Sequence, residues 1–161
     1  MTLLIIYLLV AVGVSFICSI LEAVLLSITP SFIALKQREG LKVSDLLVEL
    51  KKDIDKPLSA ILSLNTIAHT VGAAGVGAQA QVVFGSAYLS ITSAILTLLI
   101  LIFSEIIPKT LGANYWKELS GVSARAIKIL IYITYPLVLL SNGITRRLSK
   151  DGDNQTLSRE E

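Results

Sequence analysis

Four residues that could do chemistry interrupt one long apolar run. Ser104, Glu105, Pro108 and Lys109 lie in the stretch LLILIFSEIIPKTLG, residues 98–112. Proline has no N–H and its ring displaces a carbonyl four residues earlier, so Pro108 deprives the Ser104 carbonyl of its helical partner. One helical turn would then offer a hydroxyl, an unpaired carbonyl and a carboxylate. These are the hard oxygen donors that Mg²⁺ and Na⁺ accept.

The same residues also allow a purely structural interpretation. Lys109 lies four residues after Glu105 and could form an ion pair with it, or extend to the membrane surface. A proline kink with such a pair needs no ligand. A carboxylate inside a bilayer costs about 2.5–3.5 kcal/mol on insertion scales, however, and such residues usually have a function. We therefore favour a cation site around Glu105.

A second set of polar side chains lies in the first apolar segment, in SFICSILEAVLLS, residues 15–27. Ser15, Ser19 and Glu22 fall within roughly 60° of one another around a helix. They could supply two hydroxyls and a carboxylate to a cation site. The serines could equally donate to carbonyls of their own helix, as is common in membranes. Both interpretations stay open.

A third polar pair lies in LSLNTIAHT, residues 62–70. Asn65 has a carbonyl oxygen that could ligate a hard cation, or its amide could form a hydrogen bond between helices. His69 lies one turn further along the same face. We expect His69 to be packed or hydrogen-bonded rather than a ligand, because imidazole suits softer metals.

Composition places the chain among membrane proteins. Hydrophobic residues make up 53% of the 161 residues, charged residues make up 16%, and the mean hydropathy is +0.74. A net charge of +2 without a basic stripe argues against a nucleic-acid partner. One cysteine and one histidine cannot form a disulfide or a metal site rich in His and Cys. The sequence shows no nucleophile–base pair and no evident partner for His69, so we do not predict an enzyme.

The apolar segments predict an all-α membrane protein with three transmembrane helices, at about 3–28, 57–84 and 87–110. Pro57 suits the first turn of the second helix. That helix contains VGAAGVGA, residues 71–78, whose small side chains favour close helix packing and could also break the helix near its middle. Between the first two spans, SDLLVELKKDI predicts a short juxtamembrane helix capped by Ser44.

A fourth apolar segment, 126–144, has basic residues at both ends. Basic residues favour the cytoplasmic side, and they are also frequent between the first two spans. We therefore predict a cytoplasmic amphipathic helix at about 119–146, bent at Pro136 and anchored in the interface by Trp116, Tyr132 and Tyr135. The N-terminus would be outside and the C-terminus cytoplasmic. A fourth span is the alternative. In the predicted three-span topology, residues 1–148 form the transmembrane domain and residues 149–161 form a linker stub.

Three motifs together resemble one family. FSEIIPK, residues 103–109, looks like the FGEIIPK signature of the CorC/cyclin-M (CNNM) family of magnesium transport proteins. CSILEAVLLS is similar to the first-helix pattern of that family, and LSLNTIAHT is similar to the segment that opens its second helix. The resemblance covers essentially the whole chain. Three positions depart from the usual residue: Ser104 and Leu64 stand where glycine is usual, and Leu21 where serine is frequent.

The resemblance implies a homodimeric domain in the cell membrane with three transmembrane helices, short juxtamembrane helices and a cytoplasmic belt helix. It implies Mg²⁺ transport, with Na⁺ coupling proposed for export. Carried over by position, Ser19, Asn65 and Glu105 are cation-site candidates, with Glu22 and Ser63 in support. The family continues into cytosolic CBS domains that bind ATP, and LSREE looks like the lead-in to them.

Two other functions fit the same residues. A magnesium sensor would bind the ion without moving it, and flux measurements separate it from a transporter. An assembly module would use the Gly/Ala face for dimerisation and the carboxylates for packing, and metal binding by the isolated domain separates that one.

The charge pattern yields a topology test. Cysteines placed at Val122 and Leu148 should both be inaccessible to a membrane-impermeant reagent added outside, because both ends of the fourth segment are basic. External labelling of one position alone would contradict a three-span topology.

Overall fold

The computed structural model describes residues 1–156, with side chains described for residues 1–136. Every regular element in this range is helical, which confirms the all-α prediction. The elements are α1 (Thr2–Ser27), α2 (Pro30–Arg38), α3 (Val43–Lys52), α4 (Asp55–Phe84), a 3₁₀ turn (Ser86–Tyr88), α5 (Leu89–Leu99), a π-helical segment (Ile100–Ile106), α6 (Ile107–Asn114) and α7 (Trp116–Thr156).

Three helical stretches of the described residues are long and apolar enough to cross a membrane: Thr2–Ser27, Asp55–Phe84 and Ser86–Asn114. They correspond to the three predicted spans. The third is a composite of the 3₁₀ turn, α5, the π segment and α6, and it runs four residues past the predicted end at 110. The break allowed in the second span is absent, since α4 is continuous. A glycine- and alanine-rich helix persists there because it is packed against a neighbour.

Helix α1 is packed closely between α4 and α6. A Cβ added to Gly72 of α4 would overlap the side chain of Ala11. A Cβ on Gly112 of α6 would lie 2.8 Å from the Cβ of Ala23 and 2.9 Å from the carbonyl oxygen of Ile20. Small residues on both sides therefore let the three membrane helices approach one another at backbone distance, as the sequence predicts for VGAAGVGA.

Two short helices, α2 and α3, connect α1 to α4. Helix α2 begins with Pro30 and is capped by Thr29, whose hydroxyl accepts from the Phe32 amide at 3.3 Å. The predicted Ser44 cap of α3 is wrong. The Ser44 amide and hydroxyl both donate to the Leu41 carbonyl, at 2.9 and 2.7 Å, so the chain turns into α3 before Ser44 is reached.

Helix α7 is amphipathic over its described side chains. Its buried stripe packs on the core formed with α1, α3 and α4 and comprises Ser120, Ser123, Ala124, Ile127, Leu130 and Thr134. The opposite face, with Ile129, Tyr132 and Ile133, is exposed. Trp116 packs edge-on against Phe32 of α2, with ring centroids 4.9 Å apart. Among the described residues, α7 is not one of the helices apolar enough to span a membrane.

The bounds of α7 are wider than predicted. The helix begins at Trp116 rather than 119 and runs to Thr156, so it includes Pro136 and residues 149–156 of the predicted linker. Residues 157–161 of that linker lie outside the described residues. The bend at Pro136, the interfacial position and the assignment of a linker stay predictions.

Substitution of Gly112 by alanine should destabilise the protein. The new methyl group would meet the Ala23 side chain and the Ile20 backbone, and such overpacking costs about 1–3 kcal/mol. Thermal unfolding in detergent measures this. Gly77→Ala is the matched control, because its methyl group would have nothing within 4 Å. Equal melting temperatures for the two variants would contradict the close packing of α6 on α1.

Candidate cation site

Polar side chains from all three membrane helices converge at one place, which we call the polar cluster. It comprises Ser15, Ser19 and Glu22 of α1, Asn65 and His69 of α4, and Ser104, Glu105 and Lys109 of the third helix. Ser15, Ser19 and Ser104 are fully buried, and Asn65 is 9% exposed. The sequence predicts that three separate segments carry these groups, and the fold brings them together.

The main-chain carbonyl of Ser104 has a hydrogen-bond partner on another helix. The Ser104 carbonyl, which cannot bond to an N–H at Pro108, accepts instead from the hydroxyl of Ser19 at 2.5 Å. The surrounding turn, Ile100–Ile106, is π-helical rather than α-helical. A π turn carries one extra residue and often occurs at functional sites. The Ser104 carbonyl oxygen therefore links the third helix to α1.

The Ser104 side chain does not take part in the same way. Its hydroxyl donates to the carbonyl of Ile100, one turn earlier in its own helix, at 2.8 Å. Ser104 stands where the family usually has glycine, but its hydroxyl is bonded within its own helix. The oxygen of Ser104 that contacts α1 is therefore its main-chain carbonyl. Ser19, in contrast, makes its hydrogen bond across helices and not to its own backbone. The sequence allowed Ser19 to bond either to its own helix or across helices, and the structure shows the bond across helices.

The hydrogen bonds of Asn65 fix the orientation of three side chains. The Asn65 Nδ2 donates to Oε1 of Glu105 at 3.2 Å, because a carboxylate can only accept. Its Oδ1 must then face Ser15, whose hydroxyl donates to it at 2.6 Å. The Nε2 of His69 lies 2.5 Å from the same hydroxyl, so Ser15 contacts both Asn65 and His69.

A lysine lies between the two carboxylates of the cluster. The Nζ of Lys109 is 3.1 Å from Oε2 of Glu105 and 3.3 Å from Oε2 of Glu22. The sequence predicts only the pair with Glu105. The side chains of Glu22 and Glu105 are 18% and 24% exposed, so both carboxylates are largely shielded within the protein.

His69 is the member of the cluster that was not expected to be a ligand, and Ser15 is absent from the ligands implied by the family resemblance. The expectation that His69 has no evident partner is wrong, since its Nε2 also lies 3.8 Å from Oε1 of Glu105. Its expected hydrogen-bonded state is confirmed. The sequence shows that Ser15 and Ser19 share one helix face and that Asn65 and His69 share another. It does not show that these two faces meet.

This Ser–His contact does not have the geometry of a nucleophile with its base. The Ser15 hydroxyl is fully buried and donates to Asn65, while His69 uses one nitrogen for both Ser15 and Glu105. In a catalytic relay the acid orients the imidazole through the other nitrogen. Within the described side chains, His69 makes no such second contact.

Ser63 lies apart from these contacts. It is half-buried in α4, and within residues 1–136 it makes no hydrogen bond to the cluster. Its supporting role stays a prediction.

The donor set suits a hard cation that keeps part of its water shell. No group of three or more His, Cys, Asp and Glu side chains in the described part of the chain has the arrangement of a metal site. Mg²⁺ needs no such group, since proteins usually hold it through one or two carboxylates while several waters remain bound. Glu105, the Asn65 carbonyl, the Ser104 carbonyl and the Ser19 hydroxyl are all oxygen donors of the required kind.

The fold and the cluster together define a multi-pass helical membrane domain with buried polar groups between its spans. Comparison with known proteins supports this class. The family model described as the cyclin M transmembrane N-terminal domain matches residues 4–161, and the chain belongs to this CNNM family. The resemblance drawn from the three motifs is thereby confirmed.

Curated relatives agree with this assignment. The chain is 35% identical over 129 residues to the UPF0053 protein sll1254 of Synechocystis, covering 80% of this chain and 37% of that protein. It is 32% identical over 136 residues to a UPF0053 protein of Haemophilus influenzae, covering 81% and 32%. It is 27% identical over 113 residues to the UPF0053 inner membrane protein YfjD of Escherichia coli, covering 70% and 26%. The aligned region spans about a quarter to a little over a third of the length of these relatives.

Substitution of Pro108 by alanine should weaken cation binding without unfolding the protein. The restored N–H can bond to the Ser104 carbonyl and draw it back from Ser19. We expect unchanged or higher thermal stability and Mg²⁺ binding weaker by about tenfold, equivalent to about 1.4 kcal/mol or one ligand contact. Calorimetry measures the binding. Pro136→Ala, which makes the same change in α7, is the control. Wild-type affinity in Pro108→Ala would show that this carbonyl is not a ligand.

Proposed function

We propose that this domain transports Mg²⁺ across the membrane, with the polar cluster as the cation site. The observation that supports this most directly is the Ser104 carbonyl. A proline and a π turn direct it between helices, one residue before a carboxylate and within reach of Ser19. Polar groups at membrane depth are costly, and irregular backbone is tolerated there where it is buried in protein or lines a cavity.

The chemistry of the cluster supports Mg²⁺ over softer metals. Its candidate ligands are Ser19, Asn65, Glu105 and the Ser104 carbonyl, with Glu22 nearby to offset charge. Softer divalent metals favour thiolate or imidazole, and the one imidazole here is committed through Nε2 to Ser15. Two carboxylates are enough to balance a divalent ion that keeps several of its waters.

Membership of the CNNM family extends the proposal. By resemblance to that family, the domain acts as a homodimer in the cell membrane, exports Mg²⁺ in exchange for Na⁺, and works with cytosolic CBS domains. The basic residues flanking the membrane helices support an external N-terminus and a cytoplasmic C-terminus.

Flux into proteoliposomes tests the transport function. Wild-type protein should admit Mg²⁺ to vesicles containing a Mg²⁺-sensitive dye, and Glu105→Gln should reduce the rate to that of empty vesicles. The amide removes the negative charge that compensates the ion for its lost water. Glu49→Gln is the matched control, since Glu49 also pairs with a lysine, at 3.7 Å, but is exposed and outside the cluster.

Three outcomes of the flux experiment are informative. Binding of Mg²⁺ by wild-type protein without any flux would favour the sensor. Equal flux through wild-type protein and Glu105→Gln would contradict the site. Failure of Glu105→Gln to fold would make the carboxylate a structural partner of Lys109.

Calorimetry on two α4 variants tests the ligand assignment. Asn65→Ala should weaken Mg²⁺ binding by about tenfold, because it removes a hard carbonyl oxygen and one hydrogen bond to Glu105. His69→Ala should have a smaller effect, because His69 contacts Ser15 and lies 3.8 Å from Glu105 but offers no oxygen ligand to a hard cation. A larger loss in His69→Ala would show that imidazole is the ligand.

A further inference from the structure

The position of Lys109 between two carboxylates has a consequence for the cation site. Its Nζ is 3.1 Å from Glu105 and 3.3 Å from Glu22, so one ammonium group contacts both acids of the polar cluster. We propose that Lys109 is a tethered cation that competes with the transported ion for these two carboxylates and leaves them when a divalent ion binds. This proposal rests on the proposed function, because it concerns the same site.

The charges of the cluster support exchange rather than joint occupancy. Two carboxylates and one ammonium carry a net charge of −1, and adding Mg²⁺ beside the ammonium would make it +1. If the ammonium leaves, the two carboxylates balance the divalent ion fully. Like charges a few ångströms apart in a protein interior repel strongly. Lys109 and Mg²⁺ should therefore not share Glu22 and Glu105 at the same time.

The structure gives Lys109 a path out of the cluster. Its side chain is 43% exposed, more than that of either carboxylate, and it lies near the end of the third membrane helix at Asn114. The four-carbon stem of lysine is flexible, and lysines near helix ends extend towards the membrane surface. By contrast, Asn65, Ser15 and Ser19 are buried and fixed by hydrogen bonds across helices.

The competition would also distinguish ions by charge. A monovalent ion replacing the ammonium exchanges one positive charge for another and gains nothing electrostatically. A divalent ion brings two charges to the same pair of carboxylates. Lys109 would thus raise the concentration that any cation needs to occupy the site. The increase would be largest for monovalent cations.

Chemical modification of the wild-type chain tests the exchange directly. Reductive methylation of the purified protein, followed by mass spectrometry of each lysine, reports how free each amine is. Lys109 should react slowly without Mg²⁺ and several-fold faster when MgCl₂ is added, whereas choline chloride at equal ionic strength should have no effect. Lys128, which pairs with Glu49 at 3.7 Å outside the cluster, is the internal control. An unchanged or slower reaction of Lys109 in Mg²⁺ would overturn the proposal.

Variants of Lys109 give a second measurement. Lys109→Met removes the competing charge and should tighten Mg²⁺ binding roughly tenfold in calorimetry, whereas Lys109→Arg should stay near wild type. Lys128→Met is the matched control. Equal or weaker binding in a folded Lys109→Met would overturn the proposal, and if that variant does not fold, the methylation experiment decides.

The two proposals fail in different ways. If the wild-type chain binds no Mg²⁺, or if Glu105→Gln binds it equally well, the proposed cation site is wrong. If the wild-type chain binds Mg²⁺ through Glu105 but Lys109 stays bound to the carboxylates, only the competition is wrong.

Discussion

One hydrogen bond between two membrane helices, from Ser19 to the Ser104 carbonyl, holds the centre of this domain together. Inside a membrane every backbone carbonyl needs a partner, because no bulk water is present to supply one. Pro108 removes the N–H that would serve the Ser104 carbonyl, and the hydroxyl of Ser19 serves it instead. The bond from α1 to the third helix therefore follows from a local defect in that helix. It also places a backbone oxygen one residue before Glu105, in the polar cluster that we propose as the cation site.

Close packing is what makes this bond geometrically feasible. The Ser19 hydroxyl can reach a carbonyl of another helix only if the two backbones are near, and Gly112 lets α6 contact α1 at Ile20 and Ala23. On the other side of α1, Gly72 lies against Ala11, one turn before Ser15. Small residues thus flank the polar cluster on both sides, and this close packing lets its polar groups meet between the helices.

The sequence predicted the all-α class and the three spans, but not how the helix faces meet. Uninterrupted apolar runs identified the three spans, because length and hydropathy are local properties. The effect of Pro108 was also predictable, since it acts within one helical turn. The π segment, the extent of α7 to Thr156 and the start of α3 before Ser44 were missed, because neither hydropathy nor the positions of proline and serine specify them. The same holds for the contact of His69 with Ser15 and for the bridge of Lys109 to Glu22, which join residues far apart in the chain.

We propose that a hard divalent cation binds where Ser19, Asn65, Glu105 and the Ser104 carbonyl meet. Anomalous diffraction from crystals of the chain grown with Mn²⁺, which has similar ligand preferences to Mg²⁺ and scatters anomalously, tests it most directly. We expect one anomalous peak inside the polar cluster, within ligand distance of Glu105, and its loss in Glu105→Gln crystals. A peak found only at surface carboxylates such as Glu49 and Asp53, with none in the cluster, would show that the polar cluster is not the cation site.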